Sequence, residues 1–94
     1  MLNNNSKRKH QRIAYDEALN FSLAVVKFKS IEKVHSTGKA IDISDGGIGF
    51  YTDYPLEPGH ILRIEHGPAL SDTAMVKWVI KSENGFRAGA VLYR

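Results

Sequence analysis

The strongest constraint on the fold is the way turn residues divide the chain after position 20 into short segments. Glycine reaches positive φ without steric cost, so the run Asp45-Gly46-Gly47 predicts a tight turn. A loop rich in proline and glycine is predicted over 53–59, and Asn84-Gly85 is a hairpin signal. The segments between these turns are therefore expected to be short strands.

Six segments have the composition of β-strands, because β-branched and aromatic residues are enriched in them and apolar residues often alternate. Within these strands we predict that Ile41 and Ile43 share one face, and that Val76, Trp78 and Ile80 lie together. Residues 13–20 are compatible with a helical turn but are too mixed to assign. The predicted strands are 21–29, 38–44, 48–52, 61–65, 74–82 and 86–93.

This pattern predicts an all-β fold, a six-stranded antiparallel β-barrel. A barrel is favoured over a sandwich because closure removes exposed strand edges from so small a domain. The chain has 94 residues, enough for one domain. We assign residues 1–12 to a flexible basic N-terminal arm and residues 13–94 to the barrel.

The composition excludes several classes of protein. The chain has no cysteine, so it has neither disulfides nor thiolate zinc sites. No apolar run approaches the roughly 20 residues of a membrane helix, and the polar N-terminus lacks the apolar centre of a signal peptide. We expect a cytoplasmic protein without membrane insertion. The histidines lack metal-ligand spacing and no catalytic triad motif occurs, so we predict no metal, no cofactor and no enzymatic activity.

The first candidate binding feature is the densest cluster of positive charge, which lies in residues 7–12. Arg8 and Arg12 are four residues apart just before the first structured segment. The planar guanidinium fork suits phosphate oxygens, and it also matches O6 and N7 of guanine. A solvated basic tail is the alternative, and for such a cluster alone it is the more common outcome.

The second candidate feature is the turn that contains Asp42, Ser44 and Gly47. Asp42 and Ser44 are two apart on a strand, so both project from one face while Ile43 points into the core. An ionised Asp accepts the N1–H and N2–H donors of guanine, and Ser44 can donate to phosphate. Gly47 permits an unusual backbone angle and a close ligand approach. An ordinary hairpin turn with local Asp and Ser caps explains this segment equally well.

The two features together resemble the PilZ family, whose signatures are an Arg-x-x-x-Arg arm and an Asp/Asn-x-Ser-x-x-Gly turn. Both occur here in order and without departure. The resemblance covers roughly residues 7–93. It extends to further segments: Gly38, Ile48-Gly49-Phe50, Pro55-Leu56-Glu57-Pro58-Gly59, Val76-Lys77-Trp78-Val79 and Gly89-Ala90-Val91.

The resemblance implies a bacterial six-stranded barrel that binds the second messenger cyclic di-GMP. The family's roles in ligand binding fall on Arg8, Arg12, Asp42, Ser44 and Gly47. Secondary candidates are Lys7, Gly46 and Trp78. An arginine before the first motif arginine favours an intercalated pair of ligands. This chain has Lys7 there, so one or two ligands both remain open. Trp78 is expected either to stack near a guanine or to fill the barrel core.

The function expected from this resemblance is that of a receptor and adaptor. The dinucleotide would order the arm, and the docked arm would present a surface to an unidentified downstream protein. The alternative is a protein-interaction module of the same fold that ignores the nucleotide. A single-stranded nucleic-acid binder is a third reading, but no aromatic-basic stripe supports it beyond Tyr51 and Tyr54. We therefore expect neither DNA nor RNA as a partner.

Overall fold

The structure is a computed structural model that describes residues 13–67 and 72–93. The described residues form six strands and no helix, so none of their segments is a helix able to cross a membrane. The predicted arm, residues 1–12, lies outside the described residues. The strands are β1 (Ile13–Lys27), β2 (Ser30–Ser44), β3 (Gly47–Thr52), β4 (Ile61–His66), β5 (Thr73–Ser82) and β6 (Gly85–Tyr93).

The six strands close into a barrel in the order β1-β2-β3-β6-β5-β4, and every neighbouring pair is antiparallel. The predicted fold class is therefore confirmed. Apolar side chains from all six strands fill the interior, where the rings of Phe21 and Phe50 meet at 5.8 Å between centroids. Leu56, from the loop between β3 and β4, is 4% exposed and completes this core.

Strands β1 and β2 are both longer than the predicted ones. Residues 13–20 belong to β1 and form no helical turn. Leu19 is 1% exposed and pairs with Gly38, so burial and cross-strand pairing outweigh the weak local preference. β2 begins at Ser30 instead of position 38, and its first half was missed because its side chains are mostly polar and exposed.

The first hairpin extends past the other strands as a two-stranded ribbon, residues 23–37, whose base still packs on the core through Leu23, Val25 and Val34. β1 pairs with β4 only through Asn20–Ser22, and β2 pairs with β3 only from Gly38 onward. Beyond these points the described parts of the two strands pair only with each other, as far as Lys27 opposite Ser30. The turn at the tip places Phe28 at a φ of 57°, and its side chain is 96% exposed.

Candidate functional site

A shallow recess of about 190 Å³ lies on the outer surface of the barrel, across β2, β3, β5 and β6. It brings together four of the predicted ligand-binding residues, which come from two different parts of the sequence. Its lining residues are Asp42, Ser44, Gly47, Ile48, Gly49, Lys77, Trp78, Arg87, Gly89, Ala90 and Val91.

A β-bulge in β2 turns Asp42 toward this recess. The register of β2 against β3 shifts between Ala40, opposite Phe50, and Asp42, opposite Gly49. The extra residue, Ile41, reverses the alternation, so buried Ala40 is not followed two residues later by a core residue. The regular alternation assumed in the prediction is therefore interrupted, because Ala40 and Ile43, three residues apart, both pair with buried residues of β3. The predicted inward position of Ile43 is correct, because it pairs with the buried Ile48.

A second bulge, in β5, turns Trp78 outward in the same way. Val76 pairs with Ala90 and Trp78 pairs with Gly89, so Lys77 is the inserted residue. Val76 is 1% exposed, whereas Trp78 is 42% exposed. The predicted shared face of Val76, Trp78 and Ile80 is therefore wrong, because the bulge reverses the alternation after Val76. Of the two roles predicted for Trp78, a core position is excluded and a position beside the candidate ligand site remains.

Glycines on the facing strands let the two re-aimed side chains lie close to the backbone. A β-carbon at Gly49 would stand 2.9 Å from Oδ1 of Asp42, and one at Gly89 would overlap the indole of Trp78. An aromatic side chain that covers a cross-strand glycine restores the packing that the glycine lacks. Small residues at 49 and 89 therefore form the floor on which Asp42 and Trp78 rest.

The turn beside the recess differs from the prediction in its backbone. Neither Gly46 nor Gly47 has a positive φ; among the described glycines, positive values occur at Gly59 and Gly85. Gly47 is small for another reason, since a β-carbon there would approach the carbonyl oxygen of Ala90 to 3.2 Å. Gly46 lies in open surroundings, because a β-carbon added there would have no described neighbour within 4 Å.

Two cations in the recess were not found by sequence reasoning. Lys77 is the bulged residue of β5, and Arg87 lies two residues before Gly89 on the same face of β6. The Arg87 guanidinium carbon is 5.9 Å from the centroid of the Trp78 ring, within cation–π range. No local motif marks either residue, because only the strand register places them beside Asp42 and Ser44.

The remaining predicted residues, Lys7, Arg8 and Arg12, lie outside the described residues. The register nevertheless fixes where the chain enters the barrel. Ile13, the first residue of β1, pairs with Ile43, which stands between Asp42 and Ser44. The segment that carries the arginines is thus attached directly beside the recess.

A larger groove of about 580 Å³ lies at the other end of β3, beside the β5–β6 turn. Its described lining includes the carboxylates Asp53 and Glu83 but only one cation, Lys39. An anionic ligand is therefore better matched by the smaller recess, where Lys77 and Arg87 outnumber Asp42. Within the described ranges, no three His, Cys, Asp or Glu side chains are grouped to hold a metal ion.

No model of a known protein family matches this sequence, and no curated protein matches it significantly.

Proposed function

We propose that the protein is a PilZ-type receptor of the bacterial cytoplasm that binds cyclic di-GMP at the recess and passes the signal to another protein. The observation that carries the proposal is the meeting of Asp42, Ser44, Gly47 and Trp78 in one recess. Two separate bulges are needed to produce that meeting, and bulges that re-aim side chains are enriched beside functional sites.

The chemistry of the recess suits a guanine base with an adjacent phosphate. The Asp42 carboxylate accepts hydrogen bonds from N1–H and N2–H, and the Trp78 ring offers a face for stacking if the exposed Arg87 side chain, which stands over the ring, turns toward the phosphate. Lys77 and Arg87 supply positive charge for a phosphate at the rim.

The size of the recess requires a second contributor to binding. Pockets that enclose a whole ligand usually measure about 300–1,000 Å³, whereas this one measures about 190 Å³. In this proposal the arm supplies the rest and docks over the ligand. Arg12 is joined to Ile13, and Arg8 is four residues further, so its Cα is at most about 18 Å from that of Ile13. Both guanidinium groups can therefore reach a ligand in the recess.

Calorimetric titration of the whole chain with cyclic di-GMP tests the proposal. We expect wild-type binding that Arg8→Ala and Arg12→Ala each weaken by about 10- to 100-fold, because one charge-assisted hydrogen bond contributes about 1.5–3 kcal/mol. Arg63→Ala is the matched control, since Arg63 is an exposed arginine on β4 outside the recess. The measured stoichiometry decides between one ligand and an intercalated pair.

Two results would overturn the proposal. An equal loss of affinity in the Arg8→Ala and Arg63→Ala variants would show that positive charge acts without a defined site. Absence of heat, together with unchanged amide NMR spectra at millimolar nucleotide, would remove the receptor function. The nucleotide-independent interaction module would then take its place.

A further inference from the structure

We propose that the free edge of β1 in the ribbon, residues 23–27, is a docking site for an extended acidic segment of a partner protein, which adds to the sheet as a further strand. The site is separate from the nucleotide recess. Ile31 and Ser44 stand near opposite ends of the same 15-residue strand, roughly 40 Å apart along it at about 3.3 Å per residue.

The backbone of this segment has no strand partner on one side among the described residues. β1 leaves β4 after Ser22, which pairs with Arg63, while its pairing with β2 continues to Lys27. Antiparallel pairing uses the N–H and C=O groups of alternate residues, so the groups between them face away from β2. Proteins usually protect such edges with charged side chains, proline or bulges; residues 23–27 have neither proline nor a bulge, and their single charge is Lys27 at the far end.

The outer face beside this edge is apolar and exposed. Val26 and Ile31 form a cross-strand pair, and they are 77% and 75% exposed. Ile61, at the start of β4, is 53% exposed and lines the same groove as Ile31 and Ala24, with a volume of about 430 Å³. An added strand would place every second side chain over these residues.

Phe28 at the tip extends the same exposed apolar surface. Its φ of 57° is a left-handed conformation that disfavours a bulky side chain, and the ring is 96% exposed. A phenylalanine at this position neither favours the local backbone conformation nor packs into the core. A contact with another molecule would bury the ring and so give it a role.

The basic side chains around the groove favour an acidic partner segment. The described lining of the groove includes Arg63 and Lys33 and no carboxylate, although Lys33 is 3.8 Å from the carboxylate of Glu65 outside the lining; Lys27 and Lys29 follow at the ribbon tip. A second copy of this chain would bring like charges together across the edge, which opposes self-pairing. The basic residues of the chain's own segment 1–12 are disfavoured for the same reason. A segment that alternates apolar and acidic residues can pair with the free edge of β1, cover the apolar groove and lie opposite its basic side chains.

The test uses the intact, nucleotide-free protein and a short synthetic peptide of alternating valine and glutamate, followed by amide NMR. We expect saturable shifts in Ala24, Val26 and the start of β4. The peptide with lysine in place of glutamate, and a peptide N-methylated on alternate residues, should not bind. Ile31→Glu should weaken binding by at least about tenfold through like-charge repulsion. Ile80→Glu, a similarly exposed position on β5 outside the groove, should bind as wild type.

The proposal is overturned if millimolar peptide causes no shifts, if the shifts lie elsewhere in the protein, or if the lysine or N-methylated peptide binds equally well. Concentration-dependent dimerisation in sedimentation that Ile31→Glu abolishes would assign the edge to a second copy instead. The Asp42→Ala variant should bind the peptide as wild type, so a failure of the edge proposal and a failure of the nucleotide proposal are distinguishable.

Discussion

Trp78 packs against the backbone of Gly89, its cross-strand partner, so closely that any β-carbon at position 89 would overlap the indole. The contact exists only because the bulge at Lys77 turns Trp78 out of the core. The exposed face of the barrel thus carries a large aromatic side chain on a glycine floor, beside Asp42 and Arg87.

Gly89→Ala should displace the indole from the recess. Trp78 is the single tryptophan of the chain, so fluorescence excited selectively at tryptophan reports on it alone. We expect emission shifted toward that of solvent-exposed tryptophan and affinity for cyclic di-GMP lowered about tenfold, since stacking of a base on an aromatic ring contributes about 1–3 kcal/mol. Gly46→Ala is the control, because its β-carbon would enter open space. Unchanged emission in Gly89→Ala would refute this role of the glycine.

Asp42 should act in the proposed receptor through the hydrogen bonds that its side chain accepts. Asp42→Ala removes the acceptor, and we expect cyclic di-GMP binding to fall by about 10- to 100-fold. Asp42→Asn keeps one acceptor oxygen and should lose less affinity. Gly49→Ala should lower affinity without changing Asp42 itself, because the new β-carbon would stand 2.9 Å from Oδ1.

Calorimetry on these three variants checks the prediction, and thermal unfolding verifies that each of them folds. Wild-type affinity in Asp42→Ala would contradict the assignment of Asp42 to the ligand site. Equal loss in Asp42→Ala and Asp42→Asn would indicate that the negative charge, and not the acceptor oxygen, is recognised.

The fold class was predictable because local turn chemistry and strand composition agree with the final topology. A hairpin turn forms at the predicted place but one residue earlier than Asn84-Gly85: its two turn residues are Glu83 and Asn84, and Gly85, at a φ of 140°, pairs with Ser82 as the first residue of β6. The full length of β1 and β2 was not predictable, because the ribbon is held by backbone pairing and carries few buried side chains. Alternation, which is the usual signal of a strand, reports burial and not pairing.

The candidate site was predictable only in part for a related reason. Asp42, Ser44 and Gly47 are close in sequence, so a motif can mark them. Arg87 and Lys77 reach the recess through strand order and a bulge, and a single inserted residue leaves no signature that alternation can detect. The outward position of Trp78 depends on that same inserted residue.

Thr52 should contribute to stability where β3 leaves the barrel. It is 5% exposed, and its hydroxyl donates to the carbonyl of Thr37 at 2.8 Å and accepts the Tyr54 amide at 3.2 Å. Thr52→Val keeps the shape but leaves these groups without a partner, so unfolding should become easier by about 1–3 kcal/mol. Thr37→Val, at an exposed position, should change stability by less than about 0.5 kcal/mol. Denaturant unfolding measures both, and equal effects would refute the role of the Thr52 hydroxyl.

Glu65 joins β4 to the base of the ribbon. Its carboxylate lies 3.2 Å from Nδ1 of His35 and 3.8 Å from Nζ of Lys33, and it accepts a hydrogen bond from the buried Ser22. Desolvation raises the pKa of Glu65, but the hydrogen bonds from His35 and Ser22 and the charges of His35 and Lys33 together lower it below its usual value of 4.5.

A lowered pKa in the folded state means that ionised Glu65 stabilises the fold above pH 4.5, and that this contribution is lost as the pH falls through the folded-state value. Glu65→Gln should therefore be less stable than wild type at pH 7, and the difference should shrink as the pH is lowered past 4.5. Glu83→Gln is the control, because Glu83 is exposed in the β5–β6 turn and forms no ion pair with any described residue. Urea unfolding between pH 7 and 3 measures the difference; a constant gap between wild type and Glu65→Gln across that range would show that the carboxylate acts through packing alone.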